Sequence, residues 1–181
     1  MPSLRLHPDS SCPAITHIEV NIARPRADEL ILSYALTGKI DDIRMPPVAK
    51  PKRGNDLWLH TCFEAFVRPS SGADYYEFNF APSREWAVFR FDSYRTGRRA
   101  ADEISKVQIE TQGGSGRYTL QASLELGRLS GFPPDVVWHL GLSAVIEDLG
   151  GAKSYWALRH PSGKPDFHSA DCFAHELSPA A

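Results

Sequence analysis

Two glutamates in the middle of the chain are the residues best placed for acid–base chemistry. Glu64 lies in the segment TCFEAFV and Glu77 in YYEFNF, and both segments alternate as neighbouring strands would. If these strands pair, both carboxylates can lie on one side of a sheet, and two carboxylates flanking one bond are what a glycosidase uses. The sequence contains no G-x-S-x-G motif, no P-loop and no G-x-G-x-x-G fingerprint. The two carboxylates thus leave one hypothesis open, an enzyme that acts on a sugar-like substrate through Glu64 and Glu77.

Other candidate ligand groups have weaker patterns. Asp166, His168 and Asp171 are crowded in one segment, but no metal-ligand spacing relates them, so Asx and capping contacts in a turn are the preferred interpretation. The three cysteines lack C-x-x-C spacing, which predicts reduced thiols rather than a zinc site or disulfides. Haem would need axial His and Met or two His, and Met45, in a Pro-flanked loop, is the only methionine beyond the first residue. A haem-binding sandwich is kept as an alternative, and no cofactor or metal is predicted.

Each of the three central strands is predicted to have one apolar face and one mixed face. Phe63 belongs to the apolar face of the first strand and Glu64 to its mixed face, while Glu77 and Asn79 share the mixed face of the second. In the third strand, the apolar face is assigned to Ala87, Phe89 and Phe91, and the mixed face to Trp86, Val88 and Arg90. The mixed faces form either a solvated outer surface or a concave floor that binds the hydroxyls of a polyhydroxylated ligand between aromatic walls.

The elements that must position these side chains are nearly all strands. Alternation with period 2 dominates, and the central strand segments follow one another about every 10–14 residues with turn signals between them. Residues 39–56 are predicted as a long loop, and residues 136–151 as a strand although Asp135 and Gly150 could flank a helix. We predict an all-β fold with little helix. It is a single domain over residues 1–181, a jelly-roll-like antiparallel β-sandwich of about ten strands.

Composition and charge exclude several classes of protein. The 181 residues, 42% hydrophobic and 23% charged, are sufficient for one buried core and argue against intrinsic disorder. A net charge of −2 argues against a nucleic-acid partner, because such proteins neutralise phosphates with clustered basic residues. No apolar run reaches the roughly 20 residues that span a bilayer, and the N-terminal segment lacks the apolar core of a signal peptide. We therefore expect a cytoplasmic protein without a membrane partner, and the oligomeric state stays open.

Three segments carry a resemblance to a known family. The string WLHTCFEAF (58–66), the strand YYEFNF (75–80) and the later SYWAL (154–158) together resemble the DOMON-like proteins, which are relatives of the family 9 carbohydrate-binding modules. The resemblance covers about residues 15–177, and GKPDFH with DCFA is similar to the bacterial stand-alone branch of that group. It implies a β-sandwich with a sugar site on one sheet, where two tryptophans enclose a sugar ring and polar side chains bind its hydroxyls.

The resemblance assigns site residues one by one. Trp58 and Trp156 match the two aromatic walls, and Glu64 matches the acidic acceptor. Asn79 stands where the family usually has arginine, and the other polar contacts are assigned to Arg90, which could replace that charge, and to Lys153. The predicted function is non-catalytic binding of a small saccharide or sugar derivative between the two tryptophans. Trp156→Ala is then expected to abolish binding and to leave the fold nearly unchanged.

Overall fold

The computed structural model describes residues 1–131, 133 and 135–179, which form an all-β fold. Thirteen strands are present in these residues. They are β1 (Ser3–Leu6), β2 (Ile15–Arg26), β3 (Glu29–Gly38), β4 (Lys52–Arg53), β5 (Cys62–Pro69), β6 (Tyr75–Phe80), β7 (Glu85–Phe91), β8 (Arg99–Ala100), β9 (Gln108–Gly113), β10 (Arg117–Glu125), β11 (Trp138–Glu147), β12 (Lys153–Ala157) and β13 (His175–Leu177). The helical segments are 3₁₀ turns of three residues each, Ile40–Asp42, Leu57–Leu59, Leu126–Arg128 and Ala170–Cys172. None of these described helices has the length or apolar character needed to cross a membrane.

The strands form one connected, curled sheet. Its order is β4-β7-β6-β5-β11-β12-β1-β2-β3-β10-β9, with β13 pairing to β11 and β8 to β7. All pairings are antiparallel except β4 with β7. The short strand β1 pairs with β12 on one side and with β2 on the other. It therefore joins one half of the sheet, which runs from β4 to β12 in this order, to the other half, which runs from β2 to β9. The two halves also contact each other across the core. The Tyr34 hydroxyl of β3 donates a hydrogen bond to the backbone carbonyl of Glu64 in β5 at 2.7 Å.

The main core lies between these two halves and is built by alternation. One half contributes every second residue of β3 and β10, and the other contributes the corresponding residues of β5 and β6. The buried side chains are Leu30, Leu32, Tyr34, Leu36, Leu120, Ala122 and Leu124 on one side and Phe63, Ala65, Val67, Tyr76, Phe78 and Phe80 on the other. The predicted apolar faces of β5 and β6 are confirmed as core faces.

Strands β5 and β6 are buried on their second face as well. A separate apolar cluster covers that face and includes Phe66, Tyr75, Phe91, Val145, Phe167 and Phe173. Phe167 and Phe173 come from the C-terminal segment after β12, which therefore covers the outside of the sheet. The mixed face predicted from alternation is thus not a solvated surface over β5 and β6, and its polar residues are enclosed.

Most of the predicted elements are confirmed, including a strand within residues 136–151, which is β11. Residues 39–56 are mainly a loop, interrupted by the turn Ile40–Asp42 and by β4. The described residues contain thirteen strands rather than about ten, because β1, β4 and β8 have only two to four residues and give no clear alternation signal. The two-layer, jelly-roll-like sandwich stays a prediction.

The predicted face assignment of β7 is wrong. Residues directly opposite each other in an antiparallel pair lie on the same face, and β6 pairs Phe80 with Trp86 and Phe78 with Val88. Trp86 and Val88 are therefore core residues, with 4% and 0% exposure, while Phe89 lies on the outer side. The sequence reversed the two faces because alternation alone does not fix the register that the intervening turn imposes.

Candidate functional site

A cavity of about 380 Å³ opens on the outer face of β5 and β6. Its floor contains Glu64 of β5 and Glu77 of β6. The walls come from the turn Leu57–Leu59, from β11 and β12, and from two loops, residues 92–98 and 158–169. Such a volume lies within the range of about 300–1,000 Å³ common for small-molecule sites. The sheet supplies the deep polar groups, and the turns and loops supply the rim.

Trp58 forms one aromatic wall of the cavity. It lies in the 3₁₀ turn Leu57–Leu59 and is partly exposed, whereas Leu57 beside it is buried and anchors the turn. The indole packs edge-on against the Phe89 ring, with 6.0 Å between the two ring centres. The Arg98 guanidinium lies 4.9 Å from the centre of the indole. The remaining tryptophans, Trp86, Trp138 and Trp156, are each no more than 4% exposed. Trp58 is thus the one tryptophan that a ligand in this cavity can touch.

Glu64 is a buried carboxyl without a partner. Its side chain lines the cavity while the residue is only 3% exposed. The carboxyl makes no hydrogen bond or ion pair with any residue in the described part of the chain. Burial, followed by the neighbouring Glu77 carboxylate, raises the pKa of Glu64 well above its usual range, and Arg95 opposes this shift. A buried polar group that lacks a partner costs stability, so this carboxyl is suited to accept donors from a bound molecule.

Glu77, in contrast, is held by its neighbours. Asn79 Nδ2 donates to Glu77 Oε1 at 2.8 Å, and Asn79 also accepts from the Cys62 thiol at 3.7 Å. Burial raises the pKa of Glu77, and the Asn79 hydrogen bond and then Arg98 and Arg95 oppose that rise. Asn79 is fully buried and does not line the cavity. Asn79 therefore contacts Glu77 from behind the cavity lining.

His168 lies between Glu77 and Tyr75, and its ring is hydrogen-bonded to the Tyr75 hydroxyl. The Tyr75 hydroxyl accepts from the Arg95 backbone N–H at 3.2 Å and forms a second hydrogen bond with His168 Nδ1 at 2.8 Å. The other ring nitrogen, Nε2, lies 3.8 Å from Glu77 Oε2. Burial, followed by Arg95, lowers the pKa of His168 to about 4. The ring is therefore neutral at physiological pH.

We expect His168 to remain uncharged down to about pH 4 in an NMR titration of its ring signals. Because its pKa is lower in the folded than in the unfolded state, folding stability is lost as the pH falls from about 6.5 to about 4. The contribution of this ring falls by up to roughly 1.4 kcal/mol per pH unit in that window. The same ring in urea-unfolded protein serves as the reference and should titrate near 6.5. A folded-state value near 6.5 would contradict the buried, neutral assignment.

The loop that carries His168 is fastened by Asp166. Asp166 Oδ1 accepts from Arg95 Nη2 at 2.8 Å, and its other oxygen accepts from the Tyr94 hydroxyl at 2.5 Å. The His168 backbone N–H donates to Asp166, and the Asp171 N–H donates to Ser169 Oγ. These are the Asx and capping contacts predicted for this segment. No group of three or more His, Cys, Asp or Glu able to hold a metal occurs among the described residues. Met45, the residue considered for haem ligation, packs against the main core.

Trp156, predicted as the second wall, does not line the cavity. Strand β11 pairs Ala144 with Trp156 and, on its other side, with Phe63, so all three face the core. The indole N–H donates to Ser154 Oγ at 3.1 Å inside the protein. The adjacent Tyr155 points the opposite way and lines the cavity. The two-tryptophan arrangement is therefore absent, because the register of β12 turns Trp156 inward.

Arg90 is also separated from the other predicted site residues. It lies opposite Tyr76 in the β6–β7 pair and therefore on the core side. Its guanidinium lies 5.5 Å from the Tyr76 ring centre and pairs with Asp74 at 3.1 Å. Of the six predicted residues, Trp58, Glu64 and Lys153 line one cavity, Asn79 lies behind it, and Arg90 and Trp156 lie elsewhere. Their roles in binding stay predictions.

Several cavity residues were missed by sequence reasoning. Arg95, Arg98 and His168 come from loops, where no periodicity indicates which way a side chain points. The sequence pattern indicates His168 only as a turn residue or a metal ligand, and not as part of a sugar site. Tyr155 points away from Trp156, since adjacent residues of a strand point to opposite faces. Only the tertiary arrangement decides between them.

The fold is similar to those of solved carbohydrate-related structures. A candidate carbohydrate-binding protein from Bacteroides uniformis ATCC 8492 superposes with a TM-score of 0.67 and 18% identity, over 90% of this chain and 78% of that chain. Two structures of a family 9 carbohydrate-binding module from Caldicellulosiruptor kristjanssonii align less closely. The glucose complex gives a TM-score of 0.48, 10% identity and coverage of 86% and 72%, and the cellotriose complex gives 0.49, 9%, and 90% and 75%.

The similarity to the Bacteroides uniformis protein is one of fold. At 18% identity it does not transfer individual binding residues. No protein-family model and no curated protein sequence matches the chain. The membership of the DOMON-like group stays a prediction, and function must be argued from the cavity itself.

Proposed function

We propose that this protein binds a small saccharide in the cavity over β5 and β6, without chemical conversion. The observation that carries the proposal is the carboxyl of Glu64, which is 3% exposed, lines the cavity and has no donor among the described residues. Sugar hydroxyls are donors of the required kind, and hydrogen bonds to charged acceptors are the stronger ones. A saccharide would satisfy the carboxyl that the fold leaves unpartnered.

The aromatic walls support the same ligand class. Trp58 and Tyr155 both line the cavity, and flat rings cover the apolar C–H face of a sugar. Burying about 60–100 Å² on each wall at roughly 25 cal/mol/Å² contributes about 1.5–2.5 kcal/mol per wall. After the costs of association, such a site gives affinities of about micromolar to millimolar. The structural neighbour from Bacteroides uniformis, described as a candidate carbohydrate-binding protein, agrees with this proposal.

A second candidate function is hydrolysis of a glycosidic bond by Glu64 and Glu77. It is favoured by one observation: two neighbouring carboxyls share the cavity floor, and the Glu77 carboxylate contributes to raising the pKa of Glu64. One carboxyl would protonate the leaving oxygen, and the other would activate water or attack the anomeric carbon. Incubating the protein with oligosaccharides and following free reducing ends by chromatography tests this directly. Product formation that is lost in both Glu64→Gln and Glu77→Gln would replace the binding proposal.

Replacing Trp58 with alanine should weaken saccharide binding by roughly 10- to 70-fold, the loss of one aromatic wall. The experiment titrates a panel of neutral, acidic and phosphorylated monosaccharides and disaccharides, read by calorimetry and by tryptophan fluorescence. Only Trp58 is exposed to the cavity, so the ligand-induced fluorescence change should disappear in Trp58→Ala. Trp58→Phe, which keeps a smaller ring, should be intermediate. Equal affinity of wild type and Trp58→Ala, or no binding of any sugar by wild type, would overturn the proposal.

A further inference from the structure

Three cationic side chains line the cavity, and two of them have no carboxylate partner. Arg95 pairs with Asp166 at 2.8 Å. The side chains of Arg98 and Lys153 make no ion pair or hydrogen bond with any residue in the described ranges. Long charged side chains in a wall normally pair with a fixed counter-charge or extend into solvent. Arg98 is exposed and Lys153 is half-buried, and both contribute to the lining of one cavity, so a ligand there meets two cations that no fixed carboxylate pairs.

Arg98 is positioned by aromatic rings rather than by an acid. Its guanidinium lies 3.9 Å from the Phe89 ring centre and 4.9 Å from that of Trp58. Cation–π contacts of this kind occupy the faces of the guanidinium and leave its N–H edge free to donate. The group is thereby held beside the indole on which a sugar ring would stack. A substituent of that sugar is within the region that Arg98 can reach.

The other charges of the cavity do not cancel these cations. Asp166 forms an ion pair with Arg95, and Glu77 accepts a hydrogen bond from Asn79. Burial raises the pKa of Glu77, and Arg98 and Arg95 oppose that rise without forming an ion pair with it. Glu64 lies on the buried floor and forms no ion pair with either cation in the described part of the chain.

We infer that the ligand is a saccharide with an anionic substituent, a carboxylate or a phosphate, which Arg98 and Lys153 bind while the ring hydroxyls meet Glu64. The inference rests on the proposed function and adds the substrate class. Guanidinium groups bind carboxylate and phosphate through paired N–H donors, and lysine adds a mobile point charge. A neutral sugar of the same ring would leave both cations without a counter-charge.

The test compares glucose, glucuronate and glucose 6-phosphate by calorimetry at one ionic strength. Wild type should bind at least one of the two anionic sugars about tenfold or more tightly than glucose, and the stronger arm identifies carboxylate or phosphate. In Arg98→Gln and Lys153→Gln this ratio should fall several-fold, and in the double variant to about 1–3. Arg99→Gln is the matched control, because Arg99 pairs with Asp92 outside the cavity lining.

The outcomes separate the two levels of the argument. Binding of glucose as tight as that of both anionic sugars, or an anionic preference kept in the double variant, would overturn the inference and leave saccharide binding intact. Absence of binding by all three sugars would overturn the proposed function and, with it, this inference. Because Arg98 also supports Trp58, the ratio of the two dissociation constants is used, in which a shared loss of stacking cancels.

Discussion

Replacing Glu64 with glutamine should weaken saccharide binding by about 10- to 100-fold and, at the same time, stabilise the free protein at neutral pH. The loss of affinity follows because sugar hydroxyls that donate to this carboxyl stabilise its ionised form, and hydrogen bonds to a charged acceptor contribute about 1.5–3 kcal/mol. The gain in stability follows from burial. Glu64 is 3% exposed and has no donor among the described residues, so ionising it in the folded protein is unfavourable.

The pH dependence of that gain has a defined sign. The pKa of Glu64 is higher in the folded than in the unfolded state, so the folded state binds more protons above about pH 4.5. Its contribution to stability is present in full below that pH and is lost as the pH rises through the folded pKa. The Glu64→Gln variant lacks this loss. The difference in melting temperature between variant and wild type should therefore grow with pH, by about 2–4 °C for each kcal/mol.

The measurement is thermal unfolding of both proteins from pH 5 to pH 8, together with sugar titrations at the same values. Glu110→Gln is a matched control, since Glu110 is an exposed residue of β9 far from the cavity lining. A difference that stays constant with pH would contradict a buried, ionisable Glu64. Unchanged affinity in a folded Glu64→Gln protein would remove this carboxyl from the site.

A carboxyl that destabilises the fold and improves binding is the kind of local inconsistency expected at a functional site. The core-facing residues of β5 and β6 satisfy packing, alternation and burial together. Glu64 and Glu77 satisfy alternation but not burial, because their face of the sheet also carries an apolar cluster that includes Phe167 and Phe173. The sequence already placed both carboxylates on one face. Alternation left open whether this face is solvated or forms the floor of a concave site.

Sequence reasoning succeeded where the information is local. Alternation within β5 and β6 correctly separated Phe63 from Glu64 and predicted the face shared by Glu77 and Asn79. It failed in β7, where both faces carry aromatic residues and the pairing of Phe80 with Trp86 decides which face is inward. Register is set by turns and by distant partners, so a strand with two apolar faces cannot be oriented from its own residues.

The site residues also divide into those that local sequence patterns identify and those that only tertiary contacts place. Trp58, Glu64 and Lys153 meet in one cavity although 95 positions separate the first from the last. Arg95, Arg98 and His168 could not be predicted, because loops have no period and their side chains are placed by contacts such as those of Asp166. Trp156 was assigned to the site, whereas its neighbour Tyr155 lines the cavity and Trp156 lies in the core. Adjacent residues of a strand point to opposite faces, so an error of one residue exchanges the cavity for the core.

Trp156→Ala should lower the stability of the protein by about 3–5 kcal/mol, rather than leave the fold nearly unchanged. The side chain is 4% exposed, belongs to the main core and donates its indole N–H to Ser154. Removing it leaves a cavity in the core and a buried hydroxyl without that donor. The expected fall in melting temperature is about 6–20 °C, measured by calorimetry or circular dichroism.

The aromatic pair Tyr155 and Trp156 separates packing from binding with three matched variants. Trp156→Phe keeps most of the core volume, so it should cost less stability than alanine and should bind saccharide with affinity within about threefold of wild type. Tyr155→Ala should do the reverse, because Tyr155 is partly exposed and lines the cavity. Its stability should change little, and its affinity should fall by roughly tenfold or more. A Trp156→Phe protein that is stable but does not bind, beside a Tyr155→Ala protein that binds normally, would return the second wall to Trp156. That result would require β12 to pair with β11 in a register shifted by one residue.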